Sequence, residues 1–101
     1  PWPRADQEGA AAWIAARSRD GEPVRGNQWE HELLFRRLGP LYDDVARLPA
    51  PAGRLFVVVT SARADEREVS LSRLLEAGWR VAERAEPERN TVALLVPRGA
   101  P

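Results

Sequence analysis

The second half of the chain contains apolar runs that predict strands and a helix. Residues 55–60 (Leu-Phe-Val-Val-Val-Thr) form a continuous β-branched run, which is typical of a strand covered on both faces. Residues 66–77 carry apolar positions at helical spacing, and Gly78 is suited to end that helix. Residues 79–86 alternate partly, as an edge strand does, whereas residues 91–96 are apolar throughout. This order predicts a three-stranded mixed sheet with the last strand in the centre.

The first half of the chain predicts helices that flank this sheet. Residues 7–17 indicate a first helix, which Asp6 can cap. Between residues 29 and 48, apolar side chains recur every three or four positions, which predicts a second helix, kinked or broken at Gly39-Pro40. We expect the helices at 29–48 and 66–77 to cover opposite faces of the sheet. The predicted fold class is therefore α/β, with N-terminal helices beside the sheet.

Composition places the chain among soluble proteins of one compact domain. It has 101 residues, of which 44% are hydrophobic and 30% charged. No apolar run approaches the roughly 20 residues that span a bilayer, and the amino terminus lacks a signal-peptide pattern. We therefore expect a cytoplasmic protein with no membrane partner. Within the domain we distinguish an N-terminal helix and loop at 1–28 and an α/β part at 29–101.

The residues that could support catalysis or metal binding are few. The chain has no cysteine, which excludes a disulfide scaffold, a thiolate metal site and a cysteine nucleophile. His31 is the single histidine, and Asp43-Asp44 and Asp65-Glu66 are adjacent pairs, which point about 100° apart on a helix. A triad of Ser61, His31 and Asp65 lacks the Gly-x-Ser-x-Gly turn. We expect no catalytic residue, no metal and no cofactor.

Three segments resemble the carboxy-terminal half of a class I S-adenosylmethionine-dependent methyltransferase. They are 42–48 (Tyr-Asp-Asp-Val-Ala-Arg-Leu), 53–59 (Gly-Arg-Leu-Phe-Val-Val-Val) and 74–81 (Leu-Leu-Glu-Ala-Gly-Trp-Arg-Val), followed by the terminal strand pair. The resemblance implies that the last strand inserts antiparallel between the two preceding strands. Nothing in the chain matches the family's glycine-rich loop or the acidic residue that holds the ribose. The resemblance therefore implies no cofactor-binding residue in this chain, and the chain alone is not expected to be a complete methyltransferase.

A three-stranded sheet would leave the strand at 55–60 on a free edge. An apolar edge strand exposes unpaired backbone groups, so we expect something to cover it. A second copy in a two-fold dimer, the N-terminal helix or a different protein could do so. The main functional prediction is a non-catalytic association module, with a subunit of a split methyltransferase as an alternative. The predicted association edge is Leu55, Phe56, Val57, Val58, Val59 and Thr60.

Two further predictions concern ligands. Thr60 and Ser61 follow the central strand, where ligands collect in open α/β sheets, although ordinary turn chemistry also explains them. The helix and hairpin also resemble the recognition helix and wing of a DNA-binding winged helix. The buried strand before this helix and the zero net charge argue against nucleic acid. The arginines available for phosphates in that alternative are Arg67, Arg73, Arg80, Arg84 and Arg89.

Overall fold

The computed structural model describes residues 6–19, 21–27, 38–39, 41–42, 48 and 50–100. These residues form a mixed sheet with the strand order β2-β1-β3-β5-β4. The strands are β1 (Val24–Gly26), β2 (Leu41–Tyr42), β3 (Leu55–Thr60), β4 (Trp79–Ala85) and β5 (Asn90–Pro97). The helices are α1 (Gln7–Arg17) and α2 (Ala64–Glu76). The α/β class is confirmed, but the prediction of three strands is wrong, because β1 and the two-residue β2 extend the sheet.

The last strand, β5, lies between β3 and β4 and is antiparallel to both. Its register with β3 runs from Leu55 opposite Leu95 to Thr60 opposite Asn90. On the other side of β3, β1 and β2 continue the sheet in parallel. The central position of the last strand agrees with the apolar run from Val92 to Val96, since a strand paired on both sides and covered on both faces favours apolar side chains.

The two helices cover opposite faces of the sheet, and β3 supplies side chains to both. Because successive side chains of a strand point to opposite faces, Phe56 and Val58 pack on the α1 side, while Leu55, Val57 and Val59 pack on the α2 side. None of these five residues is more than 1% exposed. The face that we expected the 29–48 helix to cover is therefore packed against α1 in the described part of the chain.

Leu41–Tyr42 form a strand where the sequence pattern predicts helix. They pair in parallel with Val24 and Arg25. Pro40 disfavours helical backbone at the residue before it, and the strand pairing outweighs the apolar spacing. Within the predicted second helix, residues 29–37, 40 and 43–47 lie outside the described residues.

Gly39 precedes this strand and lies directly on the backbone of Glu22. A Cβ at Gly39 would be 1.8 Å from the Glu22 carbonyl oxygen. We expect Gly39→Ala to lower the free energy of unfolding by about 1–2 kcal/mol, because the backbone must move to remove the overlap. The matched control is Gly53→Ala, since a Cβ at Gly53 meets nothing within 4 Å. Urea denaturation of both variants checks this, and equal stabilities would contradict the close approach.

The edge of β3 is closed by the chain itself, so the predicted association edge is wrong. Residues 24–26 pair in parallel with Phe56, Val57 and Val58. The Phe56 amide also donates to the Pro23 carbonyl oxygen at 3.0 Å. The correction applies to the whole predicted edge: Leu55, Phe56, Val57, Val58, Val59 and Thr60.

The side chain of Asn27 continues this closure beyond the end of β1. Its Nδ2 donates to the Thr60 carbonyl oxygen at 3.1 Å, and its Oδ1 accepts the Thr60 amide at 2.9 Å. One side-chain amide thus replaces the two hydrogen bonds that a further strand residue would make. A β3 edge satisfied over this length offers no room for a strand from another molecule.

Candidate functional site

The carboxyl ends of β1 and β3 lie side by side, and the chain leaves them in opposite directions. After β1 it proceeds to β2 on one side, and after β3 it proceeds through α2 to β4 and β5 on the other. In open α/β sheets, ligands bind at such a switch point. Thr60 and Ser61, the predicted ligand site, lie there.

Thr60 is held in a hydrogen-bonded cluster that joins three parts of the fold. Its Oγ1 accepts from Gln7 Nε2 at 2.9 Å and donates to Asn90 Oδ1 at 2.5 Å. Asn90 is fully buried, and its Nδ2 donates to the Asp6 carbonyl oxygen at 3.1 Å. These bonds tie the start of α1 to the end of β3 and the start of β5. The structure therefore gives Thr60 a role in the fold.

The backbone of Ser61 makes hydrogen bonds to two arginines, Arg67 and Arg89. Its amide donates to the Arg89 carbonyl oxygen at 2.9 Å, and its carbonyl oxygen accepts from Arg67 Nη1. Its hydroxyl donates to Glu66 Oε2 at 2.6 Å and accepts the Arg63 amide at 3.2 Å. The predicted ligand residue Ser61 and two of the predicted phosphate-binding arginines are thus brought together.

A cavity of about 300 Å³ opens beside Ser61, and Ala62, Arg67, Glu88 and Arg89 line it. The Arg67 side chain is only 13% exposed and donates from Nε to Thr91 Oγ1 at 3.2 Å. Arg89 has a φ of 59°, in the left-handed region that favours glycine. Sequence reasoning missed this cavity, because no spacing along the chain shows that the hairpin turn packs against the start of α2.

The helix α2 starts without a side-chain cap. The N-cap residue is Arg63, which makes no side-chain capping bond, and the helix begins at Ala64. The Asp65 carboxylate accepts from the Arg63 guanidinium instead, at 3.2 and 2.7 Å. This hydrogen bond holds the pKa of Asp65 below its usual value. At the other end, Gly78 has a φ of 107°, as a residue that ends a helix in the left-handed region should.

The five arginines of the nucleic-acid alternative do not make one free cationic face. Arg84 donates to the carboxylates of Glu68 and Glu86. Arg80 donates to the Ala100 carbonyl oxygen at 2.7 Å, and Arg67 is held as described above. A winged helix also needs a helix before its recognition helix, and strand β3 occupies that position. The fold and the ion pairs therefore do not favour this alternative.

The ion pairs of Arg84 predict a measurable effect on Glu68. The Arg84 hydrogen bond lowers the pKa of Glu68, so the pair stabilises the fold above the unfolded-state pKa and this contribution is lost as pH falls through the folded-state pKa. We expect Arg84→Gln to return the pKa of Glu68 toward its ordinary value, as an NMR titration of the carboxyl group would measure. Arg73→Gln, which removes an exposed charge on the same helix, should leave it unchanged. An unaltered Glu68 titration in the Arg84 variant would contradict the pairing.

Within the described ranges, no three His, Cys, Asp or Glu residues come together as metal ligands. No helix among them has the length and apolar character to cross a membrane. His31, Asp43 and Asp44 lie outside the described residues.

Comparison with known proteins gives no family for this chain. Neither a protein-family model, nor a curated protein, nor a solved structure matches it.

Proposed function

We propose that this chain is a non-catalytic association module, the carboxy-terminal half of a class I methyltransferase-like sheet that a partner protein completes. The observation that carries the proposal is the strand order β1-β3-β5-β4, in which the last strand is antiparallel between its two predecessors. This is the arrangement that the resemblance of 42–48, 53–59 and 74–81 implies. It supports a sheet that continues beyond β1 in the complete assembly.

The partner is expected to add strands on the β2 side of the sheet. The opposite edge strand, β4, has a bulge between Val81 and Glu83 and carries the charges of Arg80 and Arg84, features that discourage strand addition. Strand β3 is closed by residues 23–27. Strand β2 lies at the other end of the strand order, so by exclusion of β3 and β4 the β2 side is the proposed place where further parallel strands join.

The partner would carry what this sequence lacks. Class I methyltransferases hold their cofactor with a glycine-rich turn after the first strand and an acidic residue after the second, and this chain has no match for either. The partner would therefore contribute the strand, turn and helix on which the cofactor binds. The role of this chain is to complete the sheet of that partner.

A photo-crosslinking amino acid placed at Tyr42 tests the proposal in the native cell, with the same amino acid at Arg84 on the opposite edge as the matched control. We expect Tyr42, and not Arg84, to give a crosslinked product that mass spectrometry identifies as a protein with a glycine-rich strand–turn–helix segment. Crosslinks from Arg84 alone, or from neither position, would overturn the proposed edge.

Two measurements on the purified chain complete the test. Light scattering should give a mass near the 11.3 kDa of one chain, and calorimetry should show no binding of S-adenosylmethionine. Clear cofactor binding by the chain alone would overturn the assignment of the cofactor site to a partner. A dimer that crosslinks to itself through position 42 would replace the partner with a second copy and would likewise contradict the proposal.

A further inference from the structure

We infer that the cavity beside Ser61 binds a small ligand through an anionic group, a carboxylate or a phosphate, with Arg89 as the binding residue. This site is independent of the proposed association, because it lies where β3 ends and the β4–β5 hairpin turns, whereas the partner would join at β2. Among the described residues, the cavity is lined by Ala62, Arg67, Glu88 and Arg89.

Arg89 is available to a ligand, whereas its neighbour Arg67 is held in place. No carboxylate of the described residues lies within the 4.0 Å ion-pair distance of the Arg89 guanidinium. Arg67 contacts the Ser61 carbonyl oxygen, the Thr91 hydroxyl and, at 3.7 Å, the Glu86 carboxylate. The cavity thus combines one fixed guanidinium with one that lacks an acidic partner. A planar guanidinium suits carboxylate and phosphate groups because it can donate two parallel hydrogen bonds.

The backbone at Arg89 supports a role for its side chain. Its φ of 59° strains an L-residue, whereas glycine would adopt it without strain. Two backbone hydrogen bonds hold this conformation. The Ser61 amide donates to the Arg89 carbonyl oxygen at 2.9 Å, and the Asn90 amide donates to the Pro87 carbonyl oxygen at 2.7 Å. Strained residues of this kind cluster at ligand sites, where the surrounding structure maintains them.

The size and charge of the cavity define the ligand further. A volume of about 300 Å³ is at the lower end of the range for ligand cavities, so the ligand is a small molecule. Glu88 also lines the cavity, and its carboxylate repels a second anionic group. The ligand is therefore one with a single anionic group and a remainder that is neutral or donates hydrogen bonds.

The test is an NMR titration of the full chain with sodium acetate and, separately, sodium phosphate, each against sodium chloride at equal ionic strength. We expect saturable shifts of the Arg89 Nε–H group and the Ala62 amide, with no comparable shifts in chloride. Saturation by acetate alone would identify a carboxylate ligand, and saturation by phosphate alone would identify a phosphate ligand. Shifts that do not saturate, or that spread equally over the other arginines, would overturn the site.

Four variants establish which residues are responsible. Arg89→Gln should weaken binding at least tenfold, and Glu88→Gln should tighten it several-fold by removing the competing charge. Arg73→Gln, an exposed arginine outside the cavity, is the matched control and should bind as the parent does. Arg89→Gly removes the binding group and relieves the backbone strain, so it should fold at least as stably as the parent and fail to bind. Retained binding in either folded Arg89 variant would refute the inference.

Discussion

Replacing Phe56 with alanine is expected to lower the free energy of unfolding by about 3–5 kcal/mol. Phe56 is fully buried in the centre of β3 and packs in the cluster that contains Ile14 of α1 and Val24 of β1. Truncation removes the contacts of the ring on this face of the sheet and leaves a cavity between the sheet and α1. The free energy of unfolding of a small domain is about 5–15 kcal/mol, so this one substitution removes a large part of the stability.

Urea denaturation followed by circular dichroism and tryptophan fluorescence measures the loss. The matched control is Val69→Ala on α2, because Val69 is 55% exposed and its truncation should change stability by no more than about 0.5 kcal/mol. Phe56→Leu should fall between the parent and the alanine variant, since leucine refills part of the volume. If Phe56→Ala unfolds at the same urea concentration as Val69→Ala, the packing of α1 on β3 is wrong.

The second large effect is expected at Asn90: the Asn90→Ala substitution should lower the free energy of unfolding by about 2–4 kcal/mol. The side chain is fully buried, accepts the Thr60 hydroxyl and donates to the carbonyl oxygens of Asp6 and Glu88, at 3.1 and 3.2 Å. Alanine removes three hydrogen bonds, and a typical one contributes about 0.5–1.5 kcal/mol to stability, although the Asp6 and Glu88 carbonyl oxygens keep the Ala10 and Asp6 amides as donors. Because Asp6 is the N-cap of α1, the loss should fall most heavily on that helix.

Hydrogen exchange of the α1 amides, measured beside urea denaturation, checks this prediction. Ser72→Ala is the control, because its hydroxyl makes one exposed bond to the Glu68 carbonyl oxygen and its removal should be nearly neutral. Asn90→Asp keeps the size but replaces the donor with an oxygen that faces two carbonyl groups, so it should destabilise as alanine does. Unchanged α1 exchange in Asn90→Ala would contradict the role of this cluster.

The chain's strongest elements were predictable because their signals are local. A β-branched run gave β3 with the bounds that the structure shows, and residues 7–17 match α1. The helix before Gly78 and the two strands of the terminal hairpin lie within two residues of their predicted bounds. The apolar composition of residues 91–96 was also enough to place the last strand inside the sheet, since a nearly continuous apolar run is typical of a strand covered on both faces.

The short parallel strands were not predictable on the same basis. Strand β1 has three residues, Val24–Gly26, and β2 has two, so neither contains a repeat from which a period can be read. Without β1, β3 has a free edge, which is why the predicted association edge at 55–60 was wrong. The predicted helix over Leu41 and Tyr42 was wrong for a related reason, because pairing with β1 outweighs local spacing.

Periodicity and residue type along the chain were sufficient to establish the α/β class, α1, the α2 region, β3 and the central last strand, because each depends on neighbours a few positions away. Long-range contacts established the closure of β3 by Asn27, which meets Thr60 33 positions later, and the cluster in which Asn90 meets Asp6 across 84 positions. The cavity lined by Arg67 and Arg89 also depends on long-range contacts. Its residues are ordinary in the sequence and become a candidate site only where the hairpin turn folds against Ser61.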